Sequence, residues 1–315
     1  MKRLTIVLLL TAPIIMVPAL WAKAPQKPLR FIFITTCKDE PFFGPVKKGM
    51  MDAAKMMGVE CTWTGTADVD TAAQAKMVED AIGRNYDGIA LNIIDPVAFD
   101  KVAKLAADRG IPLVAFNVDD NATPNARLAA VCQNLYEAGR SLGRAAAPHI
   151  PDGSRILMTM HSAGVSALED RLRGEQDALK DKGITWKVVV TGNTAEGAAE
   201  VITKELKADP DIKAVLCTGQ TDTEGAGLAV ERNFKDRGCY VAGFDLSPQT
   251  LRLIEAGVIA FTIDQQPYIQ GFYPVVQLAL RCRYGIMPSN IDAGAAIVDR
   301  SNVDAVAGLC KEGYR

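Results

Sequence analysis

The chain has 315 residues, 49% of them hydrophobic and 23% charged, with a formal net charge of −2. That length accommodates two lobes that each bury a core, and the balance excludes a disordered chain and an integral membrane protein. A slightly acidic chain is also a poor partner for nucleic acid.

Lys2 and Arg3 precede an apolar run from Leu4 to Leu20, followed by the small residues Ala22 and Ala24. This is the order of a secretory signal peptide, so residues 1–24 are expected to be removed and the remainder to reside outside the cytoplasm. Pro13 and Pro18 interrupt the run, which argues against a retained membrane span. Both Ala22 and Ala24 suit cleavage.

From Leu29 onward, short β-rich runs alternate with helical stretches. Leu29–Thr35, Glu60–Thr64, Gly88–Asn92 and Pro112–Asn117 are expected to be strands, with helices near Phe43–Met57, Thr71–Arg84 and Val97–Arg109 between them. Val46, Met50, Ala53 and Met57 recur at three- and four-residue steps, the signature of a helix face turned to a core. After a polar, turn-rich passage around Asp119–Asn125, the pattern restarts with strands at Arg155–Met160, Thr185–Val190, Ala214–Cys217 and Tyr240–Phe244. The intervening helices lie near Tyr136–Ala147, Ser166–Lys182, Ala195–Ala208 and Glu224–Lys235. A helix at Pro248–Ala256, a strand at Phe261–Asp264, a long helix at Tyr268–Arg283 and a short tail complete the chain. Repeated β-α units build parallel sheets covered on both faces, so the expected class is α/β with two doubly wound lobes.

Such sheets bind ligands at the carboxyl ends of their strands. The polar residues at those ends are Thr36 to Glu40, Asn92, Asn117, His161, Thr218 to Asp222, Asp245, and Asp264 to Gln266. Several have a second, purely structural role open to them. Asn92 suits a ligand contact or a cap for the Asp95-Pro96 turn, and Asp245 a ligand contact or an N-cap for the helix at Pro248. Arg171 lies on a charged helix and suits a solvated ion pair as well. Phe42 or Phe43 can staple its helix, Gln265 can satisfy hinge backbone, and His161 can reach a cleft or sit in a loop.

Catalysis is not expected. The chain has two histidines, no Gly-x-Gly-x-x-Gly or phosphate-cradling segment, and a Gly164-Val-Ser-Ala-Leu168 loop that lacks the second glycine of a nucleophile elbow. The seven cysteines show no metal or redox spacing, so buried thiols are expected, with a Cys282–Cys310 disulfide as an open alternative. Neither a cofactor nor a metal is called for.

Several short segments together resemble the ribose-type periplasmic sugar-binding proteins, the type I solute-binding fold of ABC importers. They are Phe31-Ile-Phe-Ile-Thr-Thr-Cys-Lys-Asp-Glu-Pro-Phe-Phe43, Gly88-Ile-Ala-Leu-Asn92, Gly110-Ile-Pro-Leu-Val-Ala-Phe-Asn117, Asn134-Leu-Tyr-Glu-Ala-Gly139, Glu169-Asp-Arg-Leu-Arg-Gly174, Gly243-Phe-Asp245 and Thr262-Ile-Asp-Gln265. The resemblance implies two lobes joined by a multi-strand hinge. One is made of residues 25–132 plus about 266–292, the other of residues 133–265 plus about 293–315. It implies a ligand-binding set of Glu40, Phe42, Phe43, Asn92, Asn117, Arg171, Gln220, Asp222, Asp245 and Gln265, hinge closure over a sugar or polyol, and delivery by a monomer to an ABC transporter permease. A partner role for a chemoreceptor or sensor kinase fits the same features. Phe244 is a further candidate wall for the sugar. In the first lobe Glu40 replaces an Asn of the ribose pattern, Asn117 an Asp and Val118 an Arg, with Asp119 or Asp120 able to restore an acidic contact; in the second, Gly219-Gln220-Thr-Asp222 replaces the usual Asn-Asp, so either Gln220 or Asp222 can face the cleft. A pentose other than ribose, a hexose, a polyol or a modified sugar is therefore open.

Overall fold

The computed structural model describes residues 27–95, 97–119 and 125–315, so the expected signal segment 1–24 and Asp120 lie outside the described residues. The first lobe runs β1 (Arg30–Thr35), α1 (Phe43–Met57), β2 (Glu60–Gly65), α2 (Thr71–Gly83), β3 (Gly88–Leu91), α3 (Asp100–Asp108), β4 (Leu113–Asn117) and β5 (Ala129–Cys132). The second runs α4 (Leu135–Ala146), β6 (Arg155–Met160), α5 (Ser166–Leu179), β7 (Thr185–Val190), α6 (Ala195–Ala208), β8 (Ile212–Cys217), α7 (Gln220–Asn233), β9 (Tyr240–Phe244), α8 (Pro248–Glu255) and β10 (Phe261–Asp264). The chain then forms α9 (Pro267–Tyr284), β11 (Ile291–Asp292), β12 (Ala296–Asp299) and α10 (Val303–Lys311).

Two six-stranded sheets result, ordered β2-β1-β3-β4-β5-β11 and β7-β6-β8-β9-β10-β12. Every pairing is parallel except β10 with β12. Both lobes thus share the doubly wound order whose switch point lies between the first and third strands. The central strands β3 and β4 are buried on both faces, as expected for β-α crossovers that cover a parallel sheet.

The chain passes from one sheet to the other three times, after β5, after β10 and between β11 and β12. Gln133 Nε2 donates to Gly294 O at 2.7 Å and Gln266 Nε2 to Ala293 O at 2.9 Å, which ties the three connecting segments together. The lobes also touch away from the connections, where Ser166 N at the start of α5 donates to Ile94 O at 3.1 Å. Val165, Ala167 and Leu168 pack there into one apolar cluster with Ile93 and Ile94 of the first lobe.

Four short elements escape the periodicity: β5, β11, β12 and α10. The two residues of β11 and the exposed edge strand β12 carry too little pattern to register, and their order is supplied by pairing with β5 and β10. Two helix starts also differ from expectation. The helix expected from Val97 begins at Asp100, because Asp95 Oδ1 first accepts from Val97 N and Ala98 N in a turn. The helix expected from Glu224 begins at Gln220, with Gly219 as its extended cap residue.

Helix α9, distant in sequence, returns to pack on α1. A Cβ at Gly271 would sit 1.9 Å from Val46 O and one at Gly49 2.0 Å from Tyr268 O, so the two backbones meet through paired glycines. Gly271→Ala is therefore expected to lower stability by about 1–3 kcal/mol, measured as the shift in urea midpoint, because the obstacle is backbone. A wild-type midpoint would show that the helices part freely. No helix among the described residues is long and apolar enough to cross a membrane. Cys282 and Cys310 are unpaired and lie on α9 and α10, in different lobes, so the open alternative of a disulfide between them is not formed.

Candidate functional site

A cavity lies between the lobes at the carboxyl ends of both sheets. Counted with the open solvent at its mouth, the space between its walls is about 660 Å³. Glu40, Phe42, Phe43, Asn92 and Asn117 line it from the first lobe, Arg171, Gln220 and Asp245 from the second, and Gln265 from a connection. Four turns that lead away from strands adopt left-handed backbone at residues other than glycine: Cys37 (φ 48°), Asn117 (63°), Asp245 (71°) and Gln266 (52°). Such conformations are rare outside turns and sites, and here they carry Cys37, Asn117 and Asp245 into the cavity wall.

The polar wall is one connected chain. Asn92 Nδ2 donates to Asn117 Oδ1 at 2.9 Å, and Asn117 Nδ2 donates to Gln270 Oε1 at 3.1 Å. Gln270 Nε2 donates to Gln265 O and Oε1 at 2.8 and 3.1 Å, and Gln265 Nε2 to Asp245 Oδ1 at 2.7 Å. The chain thus runs from the first sheet, through α9 and a connection, to the second sheet. Asn92 does not cap the Asp95 turn and Asp245 does not cap α8, which Ser247 caps instead.

Arg171 is only 3% exposed. Its Nε and Nη2 donate to Gln133 Oε1 at 3.2 and 2.8 Å, and Nη1 donates to Thr218 O at 2.9 Å while facing Asp245 Oδ2 at 3.8 Å. The guanidinium also stacks over Phe244 at 4.1 Å from the ring centroid. Burial lowers its pKa, and burial raises that of Asp245 despite the opposing pull of Arg171. The backbone of Arg171 is fixed by α4, since a Cβ on Gly139 would lie 2.1 Å from Arg171 O.

Glu40 and His161 face each other across the cleft, Oε1 to Nδ1 at 3.9 Å. Burial, reinforced by Asp245, pushes the Glu40 carboxyl up to about 7 against the pull of the Cys37 thiol. Burial pushes the His161 imidazole down to about 4, helped by Arg171 and opposed by Asn193. Both groups thus tend toward their neutral forms in the closed cleft.

Asp222, Phe244 and Asp119, all singled out from the sequence, do not reach the cavity. Asp222 is fully buried behind it, where its Oδ2 accepts from Thr159 Oγ1 at 2.8 Å and Thr218 N at 2.9 Å, holding the ends of β6 and β8 together. Burial raises its carboxyl to about 7. Phe244 is 0% exposed and forms the floor beneath Arg171. Phe43 lines the cavity but is 4% exposed and packs on Trp63 at 5.4 Å between centroids, so Phe42 is the more open ring. Asp119 is turned away to an ion pair with Arg127. Conversely, Gln133 and Gln270 join the polar chain without any motif marking them. No group of three or more His, Cys, Asp or Glu among the described residues is placed to hold a metal.

Two α/β lobes joined by three connections around one polar cleft define a two-lobed ligand-binding protein. The chain belongs to the periplasmic binding protein family, described as "Periplasmic binding protein domain", which matches residues 31–283. It is 31% identical over 300 residues to a xylose/arabinose-binding protein of Sulfolobus acidocaldarius, across 90% of this chain and 74% of that one. It is 28% identical over 247 residues to the D-allose-binding periplasmic protein of Escherichia coli, across 72% of this chain and 76% of that one. A carbohydrate transporter protein of Acidothermus cellulolyticus, solved in complex with myo-inositol, superposes with a TM-score of 0.81 at 30% identity, over 92% of this chain and all of that one. The family and these relatives are binding proteins, and this chain is a binding protein rather than an enzyme.

Proposed function

We propose that the protein, exported by a cleaved signal peptide and monomeric, captures one monosaccharide or polyol between its lobes and presents it to an ABC permease. The observation that carries this is the chain of planar amides from Asn92 to Asp245, which crosses the cleft beside the open ring of Phe42. Sugar rings offer C–H faces and a rim of hydroxyls that each donate and accept, and this wall has a counterpart for both. Phe42, backed by Phe43, covers a ring face. Asn92, Asn117, Gln265, Gln220 and Glu40 meet the rim. Arg171 and Asp245, 3.8 Å apart, can both reach one hydroxyl set between them. Asp222 acts through the strand ends it holds rather than by contact. The relatives named for xylose, arabinose and allose support the class of solute.

The test is thermal melting of the chain from residue 25 against pentoses, hexoses and polyols, with amino acids and nucleosides alongside. A rise in Tm with at least one sugar or polyol is expected. A rise with amino acids or nucleosides alone would overturn the proposal.

A further inference from the structure

The cavity wall is unbalanced in a way that narrows the solute. Each amide or guanidinium donor in the wall already holds an internal acceptor: Asn92 on Asn117, Asn117 on Gln270, Gln265 on Asp245, Arg171 on Gln133 and Thr218. Two carboxyl or amide oxygens in the same wall hold no donor, Glu40 Oε1 and Asn92 Oδ1, and the Thr221 hydroxyl there is unpartnered too. His161 lines the same wall, its Nδ1 3.2 Å from both Ser162 Oγ and Asn193 Oδ1.

Charge follows the same division. Among the described residues Arg171 is the one Lys or Arg lining the cavity, and it faces Asp245. Among the described residues the nearest basic group to Glu40 within ion-pair range is His161, which burial keeps neutral. Ionising a largely buried carboxyl with no counter-charge is costly, which is why Glu40 tends toward its neutral form, and a cation seated beside it removes that cost.

We propose that the site takes a sugar or polyol bearing a protonated amine, an amino sugar or aminocyclitol, with the ammonium seated against Glu40. A hydroxyl brings one proton and two lone pairs, whereas an ammonium brings three protons and no lone pair. Free acceptors beside an unopposed carboxylate suit the ammonium, and the second hydrogens of the wall amides remain for the ring hydroxyls. This deepens the proposed function and rests on it.

The experiment is isothermal titration at neutral pH with D-glucosamine, D-galactosamine, D-mannosamine and scyllo-inosamine, each beside its hydroxyl counterpart and its N-acetyl derivative. At least one amine is expected to bind about tenfold or more tighter than both counterparts, the scale of one charge-assisted hydrogen bond. Glu40→Gln, checked for a wild-type melt, is expected to bring the ratio of amine to hydroxyl-counterpart affinity down to about one, whichever way either affinity moves. Amines that bind no tighter than their counterparts would overturn the inference, as would an amine preference that survives in Glu40→Gln. Those two outcomes leave the proposed function standing, whereas silence from every sugar, polyol and amine would overturn both.

Discussion

Asp245→Ala is expected to weaken sugar binding by about thirtyfold to several thousandfold, the range seen when one partner of a buried, hydrogen-bonded charge pair is truncated. Its carboxylate has three roles at one point. It accepts from Gln265 at 2.7 Å, faces Arg171 at 3.8 Å, and supplies an acceptor to the cavity. Without it Arg171 keeps its donors on Gln133 and Thr218 but loses its nearest counter-charge in a site from which water is largely excluded. Asp222 and Glu175, both driven toward the neutral acid by burial, are the groups left to balance it. Titration calorimetry reads the affinity, and urea unfolding separates it from stability. Asp245→Asn keeps the shape and one acceptor, and should lose less affinity than the alanine variant. An alanine variant that folds and binds like wild type would remove Asp245 from the site.

The fold was legible because both lobes repeat the same β-α alternation, and each strand that stands out in sequence is buried on both faces or ends in a polar turn. What escaped was set by pairing rather than by pattern. Strand β11 exists because Ile291 and Asp292 find Val131 and Cys132, partners some 160 positions away that no local period announces. At the site, the strand ends pointed to Asn92, Asn117 and Asp245, which do meet in one cavity. Asp222 misled because it follows a strand end within a turn of helix: starting α7 at Gln220 directs Gln220 to the cavity and Asp222 to the sheet behind. Gln270 looks like any polar residue on a long helix, and only the return of α9 to the first lobe brings it between Asn117 and Gln265. His161 stands at a strand end, where the cleft and an ordinary loop were both open to it, and it lines the cavity. Its ring fits because residue 219 is glycine, where a Cβ would lie 2.8 Å from Cδ2.

For a neutral monosaccharide, affinity is expected to be nearly flat from pH 4.5 to 6.5 in the wild type, yet to slope steeply, in opposite directions, in the two single variants of the Glu40–His161 pair. With ordinary values of 4.5 and 6.5 in an open, wet cleft, closure raises Glu40 to about 7 and lowers His161 to about 4. Between the two ordinary values closure therefore takes up a proton at Glu40 and releases one from His161, and the slopes cancel. His161→Asn exposes the Glu40 limb alone. Its affinity is full below pH 4.5, falls by up to about tenfold per unit as pH rises, and levels off above the closed-state value near 7. Glu40→Gln exposes the His161 limb, with affinity full above pH 6.5 and falling as pH drops toward 4. Each limb spans on the order of a hundredfold. The other charged groups facing the pair are Cys37, Asp245 and Arg171. The Cys37 thiol is raised to about 11 and a guanidinium such as that of Arg171 keeps its proton in proteins, while Asp245 is common to both variants and cannot produce opposite slopes. Calorimetry in buffers of different ionisation enthalpy counts the protons directly. Near pH 5.5 net uptake on binding should be close to zero in the wild type, positive in His161→Asn and negative in Glu40→Gln. Equal proton counts in all three proteins would mean that closure does not bury the pair.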